Sequence, residues 1–248
     1  MHPALDSVSH RPWPLPAGAW IMAQTWHDLL FAHWPVEATH LIALVPAQLP
    51  LDTFDGRCWV GVVPFHMSGI HARNLPPIAG LSRFPELNVR TYVTLNGKPG
   101  VYFFSLDAAS LPAVWAARTF FRLPYFHAQM SVEAAQDAKG HFIMYDSRRR
   151  GNAAEFRGRY RPSSDVQKSE MGSLEHWLTE RYCLYTVDAG RVFRAEVHHQ
   201  PWPLQQAEAD LEVNNVAAAS GLSLPSSPPL LHFARKLDVL IWPLQSVI

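Results

Sequence analysis

A chain of 248 residues can bury one large core or two small ones. Only 17% of it is charged, 12% is aromatic with nine Trp, and Pro occurs 21 times, which describes a strand-rich globule punctuated by loops and excludes a disordered chain. Lys+Arg (21) balance Asp+Glu (21), so no whole-protein field draws the chain to nucleic acid or to a membrane surface.

Residues 1–18, MHPALDSVSHRPWPLPAG, form a Pro-rich lead-in expected to be extended and partly loose. Residues 19–248 read as a single barrel-like domain, because no linker or internal repeat divides them. The lead-in lacks a charged head followed by an apolar run. The longest apolar runs, such as WVGVVPF, are too short to span a bilayer, so the expected location is cytoplasmic. Ile21 to Trp26 reads as a strand, and the apolar stretch up to Pro35 fits strand or helix. Glu37 to Val45 reads as a short helix. Asp55-Gly56 is a hairpin turn signal, and Pro64 in the following run argues for an edge or a bulge. Residues 69–83 are a loop rich in Pro and Gly, long enough for a lid or for ordered surface.

The clearest pattern lies between residues 84 and 130. From Glu86 to Leu95 one row holds Leu87, Val89, Thr91, Val93 and Leu95, and the other holds Glu86, Asn88, Arg90, Tyr92 and Thr94. A period of two is the signature of a strand. Asn96-Gly97 supplies the positive-φ pair of a tight hairpin turn. Folding about it is expected to set Leu87 near Leu106, Val89 near Phe104, Glu86 near Asp107 and Asn88 near Ser105. The polar row then faces either solvent or the interior of a barrel, and Tyr92 and Phe103 within it favour a covered, half-polar surface. Ser110 is the expected N-cap of a helix with Pro112 in its first turn, running to about Arg122 and stopping before Leu123-Pro124. Its apolar stripe is expected to include Leu111, Val114, Trp115 and Phe121. Arg118 rides on that stripe, either covering the helix edge or aimed into a cavity.

Strands are expected at Phe126 to Ala134 and His141 to Arg148, with a turn at Gly151-Asn152. Ser173 caps a short helix, LEHWLTERY. YCLYTVDAGRVFRAEVHH is a third hairpin turning near Gly190, and PWPLQQAEADLEV continues as strand. Asn215 to Ser220 is a helical turn ended by Gly221, and Leu231 to Ile241 is a long closing strand. Repeated hairpins with few helices point to a curved antiparallel sheet or barrel.

The signals for common chemistries are missing. Cys58 and Cys183 form no metal knuckle, redox pair or disulfide framework. The thirteen His show no HExxH, no HxH and no Cys/His cluster, so no metal and no cofactor is expected. His198 and His199, adjacent on a strand, face opposite sides. There is no GxSxG elbow, Walker loop or GxGxxG. Arg157, Arg159 and Arg161 share a face with Arg148 to Arg150 nearby, which reads as a solvated basic face or as a surface for an anionic partner.

The stretches LLFAHWPV, DTFDGRCWVGVVPFHM, FPELNVRTYV, GVYFFSLDA, LPYFHAQM, GSLEHWLTERYCLY and HFARKLDVLIWPL resemble the YqjF-like family of bacterial proteins of unknown function. The resemblance runs from about Trp20 to the end. It implies an acetoacetate decarboxylase-like fold, a mainly β (α+β) single antiparallel barrel-like cone with a few peripheral helices. The decarboxylase works through a Schiff-base lysine whose pKa a second lysine lowers, in a Gly-x-Pro-Lys-Lys turn after the helix. Here the matching turn is Leu123-Pro124-Tyr125-Phe126-His127. The chain's lysines are Lys98, Lys139, Lys168 and Lys236, none of them in that turn. The resemblance thus supports the fold and a cavity and argues against that mechanism. Glu86 falls near where those enzymes carry a cavity carboxylate.

Two functions are weighed. One is a small-molecule binding protein for a carbonyl compound or organic acid, its cavity lined by Glu86, Arg90, Asp107, Arg118, Tyr125, His127 and Met130. The other is a lyase or isomerase on such a substrate, without a Schiff-base lysine, with Glu86 or His127 as general base. The expected partner is a small-molecule ligand, with no nucleic acid and no membrane, and homo-oligomerisation is left open.

Overall fold

The structure, a computed structural model, describes residues 2–247. The aromatic stretch after Ala19 resolves as one strand, β1 (Met22–Val36). It bends where Asp28 takes φ 49°. Its partner β2 (Cys58–Ala72) pairs with it on both sides of an irregularity, from His27↔His66 to Ala32↔Val62. Pro64 lies in that gap, where its missing N–H removes no ladder bond, so the Pro marks a bulge. Between β1 and β2 comes the short helix α1 (Ala38–Ile42), within the expected Glu37–Val45.

β3 (Phe84–Leu95) and β4 (Lys98–Ala108) form the expected hairpin, with Asn96 and Gly97 at φ 52° and 70°. Pairing follows expectation from Leu95↔Lys98 to Arg90↔Phe103. There Phe104 is an extra residue, and beyond this bulge the register moves by one. Val89 now faces Ser105, Asn88 faces Leu106, Leu87 faces Asp107 and Glu86 faces Ala108. The facings expected for these four residues are therefore each displaced by one.

The helix α2 (Leu111–Phe121) follows, with Ser110 Oγ accepting from Ala113 N and Arg122 ending it at φ 54°. The remaining elements are β5 (Tyr125–Asp137), β6 (Gly140–Arg149), β7 (Glu155–Pro162), α3 (Leu174–Thr179) capped by Ser173, β8 (Cys183–Asp188), β9 (Arg191–His199), β10 (Gln205–Asn214), β11 (Leu230–Ile241) and β12 (Gln245–Ser246). Ala189 and Gly190, at φ 49° and 77°, make the third hairpin turn, and Gly221 ends the 3₁₀ turn at Ala218–Ser220. None of the helices among the described residues is long and apolar enough to cross a membrane.

The strands form one hydrogen-bonded network of twelve, in which β4 pairs in parallel with β5 and β8 and the other pairings are antiparallel. The sheet β4-β3-β2-β1-β11 belongs to two rings at once. β8 and β9 bridge β4 to β11 on one side and close a ring of seven strands. On the other side β10, β7, β6 and β5 lead from β11 back to β4 and close a ring of nine. Both faces of the shared sheet are therefore covered. Leu87, Val89 and Val93 enter a core with Tyr145, Phe156 and Tyr160 inside the larger ring. Tyr92 and Phe103 enter a second core, with Phe31, Phe65 and Val197, inside the smaller one. This is why β3 is buried along both of its rows.

The lead-in, read as extended and partly loose, is tied to the barrel at Arg11 and Trp13; Met1 lies outside the described residues. Glu196 on β9 is buried and gathers cations. Arg11 reaches it at 3.0 Å, Lys98 at 2.8 Å and the Trp13 indole N–H at 2.7 Å. A carboxylate removed from water needs such partners, and the lead-in supplies two of them. The basic face on β7 is paired as well: Arg157 contacts Asp146 and Glu155, Arg159 contacts Asp210, and Arg161 contacts Asp137.

Candidate functional site

A cavity of about 660 Å³ lies inside the seven-stranded ring, and each of its seven strands contributes to the wall. The polar row of β3 forms a ladder along it: Phe84, Glu86, Asn88, Arg90. Residues i and i+2 share a face about 6.6 Å apart. The ladder therefore runs from an apolar mouth to a charged floor. The mouth is flanked by α2 and by the loop after β2, with Leu75, Ile78, Leu81 and Phe120 on its rim. The floor is closed by the end of α3 and by Arg181.

Glu86 is 4% exposed. Its Oε2 accepts from the Tyr125 hydroxyl at 2.6 Å, and Asn88 donates to the same carboxyl. Burial pushes Glu86 up to about 7, against these two donors. The Tyr125 hydroxyl is held well above its ordinary value by its own burial and by Glu86. A carboxyl poised near neutrality beside a hydroxyl can donate or accept a proton at physiological pH.

Arg90 is 9% exposed, and among the described residues no carboxylate lies within ion-pair distance of it. One amino group makes long contacts of 3.4 Å to Tyr92 Oη and to Leu178 O, and Nε finds no acceptor among the described residues. Its guanidinium lies over the Phe31 and Tyr92 rings. Tyr92 Oη in turn meets His33 Nε2 at 2.7 Å, and burial holds that imidazole well below its usual range. Arg181 differs: its Nη1 pairs with Asp52 at 2.5 Å and its Nε donates to Trp177 O at 2.6 Å, while Nη2 finds no acceptor. His199, also on the wall, is pushed down by burial.

The structure thus brings Glu86, Arg90 and Tyr125 together. It places the other expected residues elsewhere. The bulge at Phe104 turns Asp107 onto the face of Leu87, where it pairs with Arg149 at 2.7 Å in the larger ring. Arg118 is exposed, its Nε donating to Tyr125 O at 2.6 Å, so it covers the helix edge. α2 presents Pro112, Ala113, Ala116 and Ala117 to the cavity, while Leu111 and Trp115 face outward at 58% and 64% exposure. Val114 and Phe121 of the expected stripe do pack inward, while small residues take the places of Leu111 and Trp115 and let the helix approach the rim closely. His127 is half-buried and is not part of the cavity wall. Met130, an odd number of positions from Tyr125, packs on the opposite core.

Sequence reasoning missed Asn88, Thr179, Arg181 and His199. Asn88 stands between Glu86 and Arg90 in the polar row and needed only the row to be read as a unit. The opposite facing of His198 and His199 was legible, but which of them turns inward depends on ring closure. Arg181 has no local signal.

The family model for DUF2071, described as an uncharacterized conserved protein, matches residues 23–238. The "Uncharacterized protein YqjF" of Bacillus subtilis (strain 168) is 53% identical over 232 residues, 93% of this chain and 94% of its own. Among solved structures, acetoacetate decarboxylase from Legionella pneumophila superposes with a TM-score of 0.66 at 10% identity, covering 100% of this chain and 96% of that one. The enduracididine biosynthesis enzyme MppR complexed with pyruvate gives 0.66 at 7% identity, covering 94% and 92%. At such identities the likeness establishes the acetoacetate decarboxylase-like fold alone.

Proposed function

The chain belongs to the DUF2071 family of uncharacterized conserved proteins, and from that premise we propose that it binds a small carbonyl compound or organic acid inside the seven-stranded ring. The observation that carries this reading is Arg90. A buried guanidinium with no carboxylate among the described residues to offset it is costly, and an anionic ligand relieves that cost. The cavity lies within the usual size range for small-molecule sites and is mostly apolar with a few convergent polar groups. MppR, with the same fold, is named as a pyruvate complex, which supports an acid or carbonyl ligand.

A second reading, a lyase or isomerase, is favoured by one observation. Glu86, near 7 and beside Tyr125, has the properties of a general acid–base pair. In either reading no Schiff base forms, because Lys98, Lys139, Lys168 and Lys236 all lie off the cavity wall. Borohydride treatment with pyruvate or acetoacetate leaves the intact mass unchanged, and a stable adduct on any lysine refutes this.

The binding reading is tested by tryptophan fluorescence, since Trp26 and Trp202 line the cavity. Titration with pyruvate, acetoacetate, lactate and longer organic acids gives a saturable change for at least one of them. Arg90→Met weakens that binding by about 10- to 100-fold, as expected for loss of a charge-assisted hydrogen bond. Equal affinity in the folded variant contradicts the reading.

A further inference from the structure

We infer, given that this cavity is a binding site, that its occupant is a monocarboxylate with a sizeable apolar body, its carboxylate on Arg90 and its body running towards the mouth. Three observations lead there. The first is charge. Arg181 is already matched by Asp52, so Arg90 is the one cation on the wall left without a carboxylate among the described residues. One uncompensated positive charge suits a monoanion and disfavours a dicarboxylate or a phosphate, whose second charge would be buried unpaired.

The second is direction. Arg90 and Arg181, each with an unpartnered buried nitrogen, stand together at the floor, where Leu178 and Thr179 close the ring. Above them Glu86 is the last ionisable carboxyl of the wall, already bonded by Tyr125 and Asn88, and beyond it the polar groups are few, with Ser82, Ser110 and His71 near the mouth. From Glu86 to the mouth the wall is mostly apolar, with Phe84, Leu106, Phe121 and Leu123 below a rim of Ile78 and Phe120. The third is size. About 660 Å³ exceeds what a three- or four-carbon acid fills, and an apolar cavity of this extent gains from each methylene buried.

The test is a series of straight-chain acids from butanoate to dodecanoate, with the matched primary alcohols, titrated by calorimetry into the intact protein. Kd tightens by about fourfold per added methylene until the cavity is full. Octanoate outbinds octanol by about 10- to 100-fold, and Arg90→Met removes that preference while leaving octanol affinity in place. Ala116→Trp, which fills the mouth without touching the floor, weakens the longest acids and spares butanoate. Butanoate binding as tightly as octanoate overturns the inference and leaves the small-acid reading standing. Octanol matching octanoate in the wild type overturns the carboxylate head. No binding of any acid, short or long, to the folded protein overturns both.

Discussion

Asp107→Ala lowers the melting temperature by on the order of 10 °C. Asp107 is fully buried and holds Arg149 Nε at 2.7 Å, with the guanidinium stacked on the Phe126 ring. Removing the carboxylate strands a buried cation, which costs about 3–5 kcal/mol. For a chain of this length each kcal/mol lowers the melting temperature by about 2–4 °C. The pair itself is imperfectly satisfied, since Asp107 Oδ2 and Arg149 Nη2 find no partner among the described residues. Burial also pushes the Asp107 carboxyl up, against the pull of Arg149. An apolar pair of similar volume is therefore tolerated, and Asp107→Leu with Arg149→Met recovers most of the loss. Arg149→Met alone is milder than Asp107→Ala, because a lone buried carboxyl can take a proton whereas a guanidinium cannot lose one. Equal losses from the two single variants, or no recovery in the double, contradict this account of the pair.

Glu86→Gln removes a pH dependence worth about 3 kcal/mol. The folded-state pKa of about 7 lies above the ordinary 4.5, so between these values the folded protein holds a proton that the unfolded chain has lost. Stability contributed by the protonated carboxyl is fully present below about pH 4.5 and is lost as pH rises through 7. Gln stays neutral throughout. Urea unfolding then finds the variant more stable than wild type by about 1 kcal/mol at pH 5 and by about 3 kcal/mol at pH 8. A difference that stays constant from pH 5 to pH 8 shows that Glu86 titrates as an ordinary carboxylate and removes the case for its role in proton transfer.

Much of the local architecture was legible because local chemistry determines it. Alternation on either side of Asn96-Gly97, the caps at Ser110 and Ser173, and the glycines that close turns each satisfy a requirement of their own backbone. Pro64 marked a bulge for the same reason. The bulge at Phe104 carries no such signal. It arises because β4 must pair with β3 on one edge and with β5 and β8 on the other, and no single strand records that demand. Its consequence was the misplacement of Asp107. The docking face of α2 was hidden for a related reason. Val114 and Phe121 turn inward as the apolar stripe requires, but beside them the tertiary fit chose small residues over Leu111 and Trp115.

The candidate site divides along the same line. Glu86, Arg90 and Tyr125 come from adjoining stretches of chain whose facing can be followed residue by residue. Arg181 and His199 reach the cavity only when β8 and β9 close the smaller ring, a contact across most of the chain. The lead-in likewise looked loose because its anchor, Glu196, lies on β9 far along the sequence.

The central claim is that Arg90, at the floor of the seven-stranded ring, receives the anionic group of a bound organic acid. A crystal structure of the protein grown with octanoate tests it most directly. The claim predicts the carboxylate within hydrogen-bond distance of Arg90 Nε and the alkyl chain passing Asn88 and Glu86 towards Phe120. Octanoate confined to the outer surface, or seated with its carboxylate at the mouth and its chain against Arg90, contradicts it.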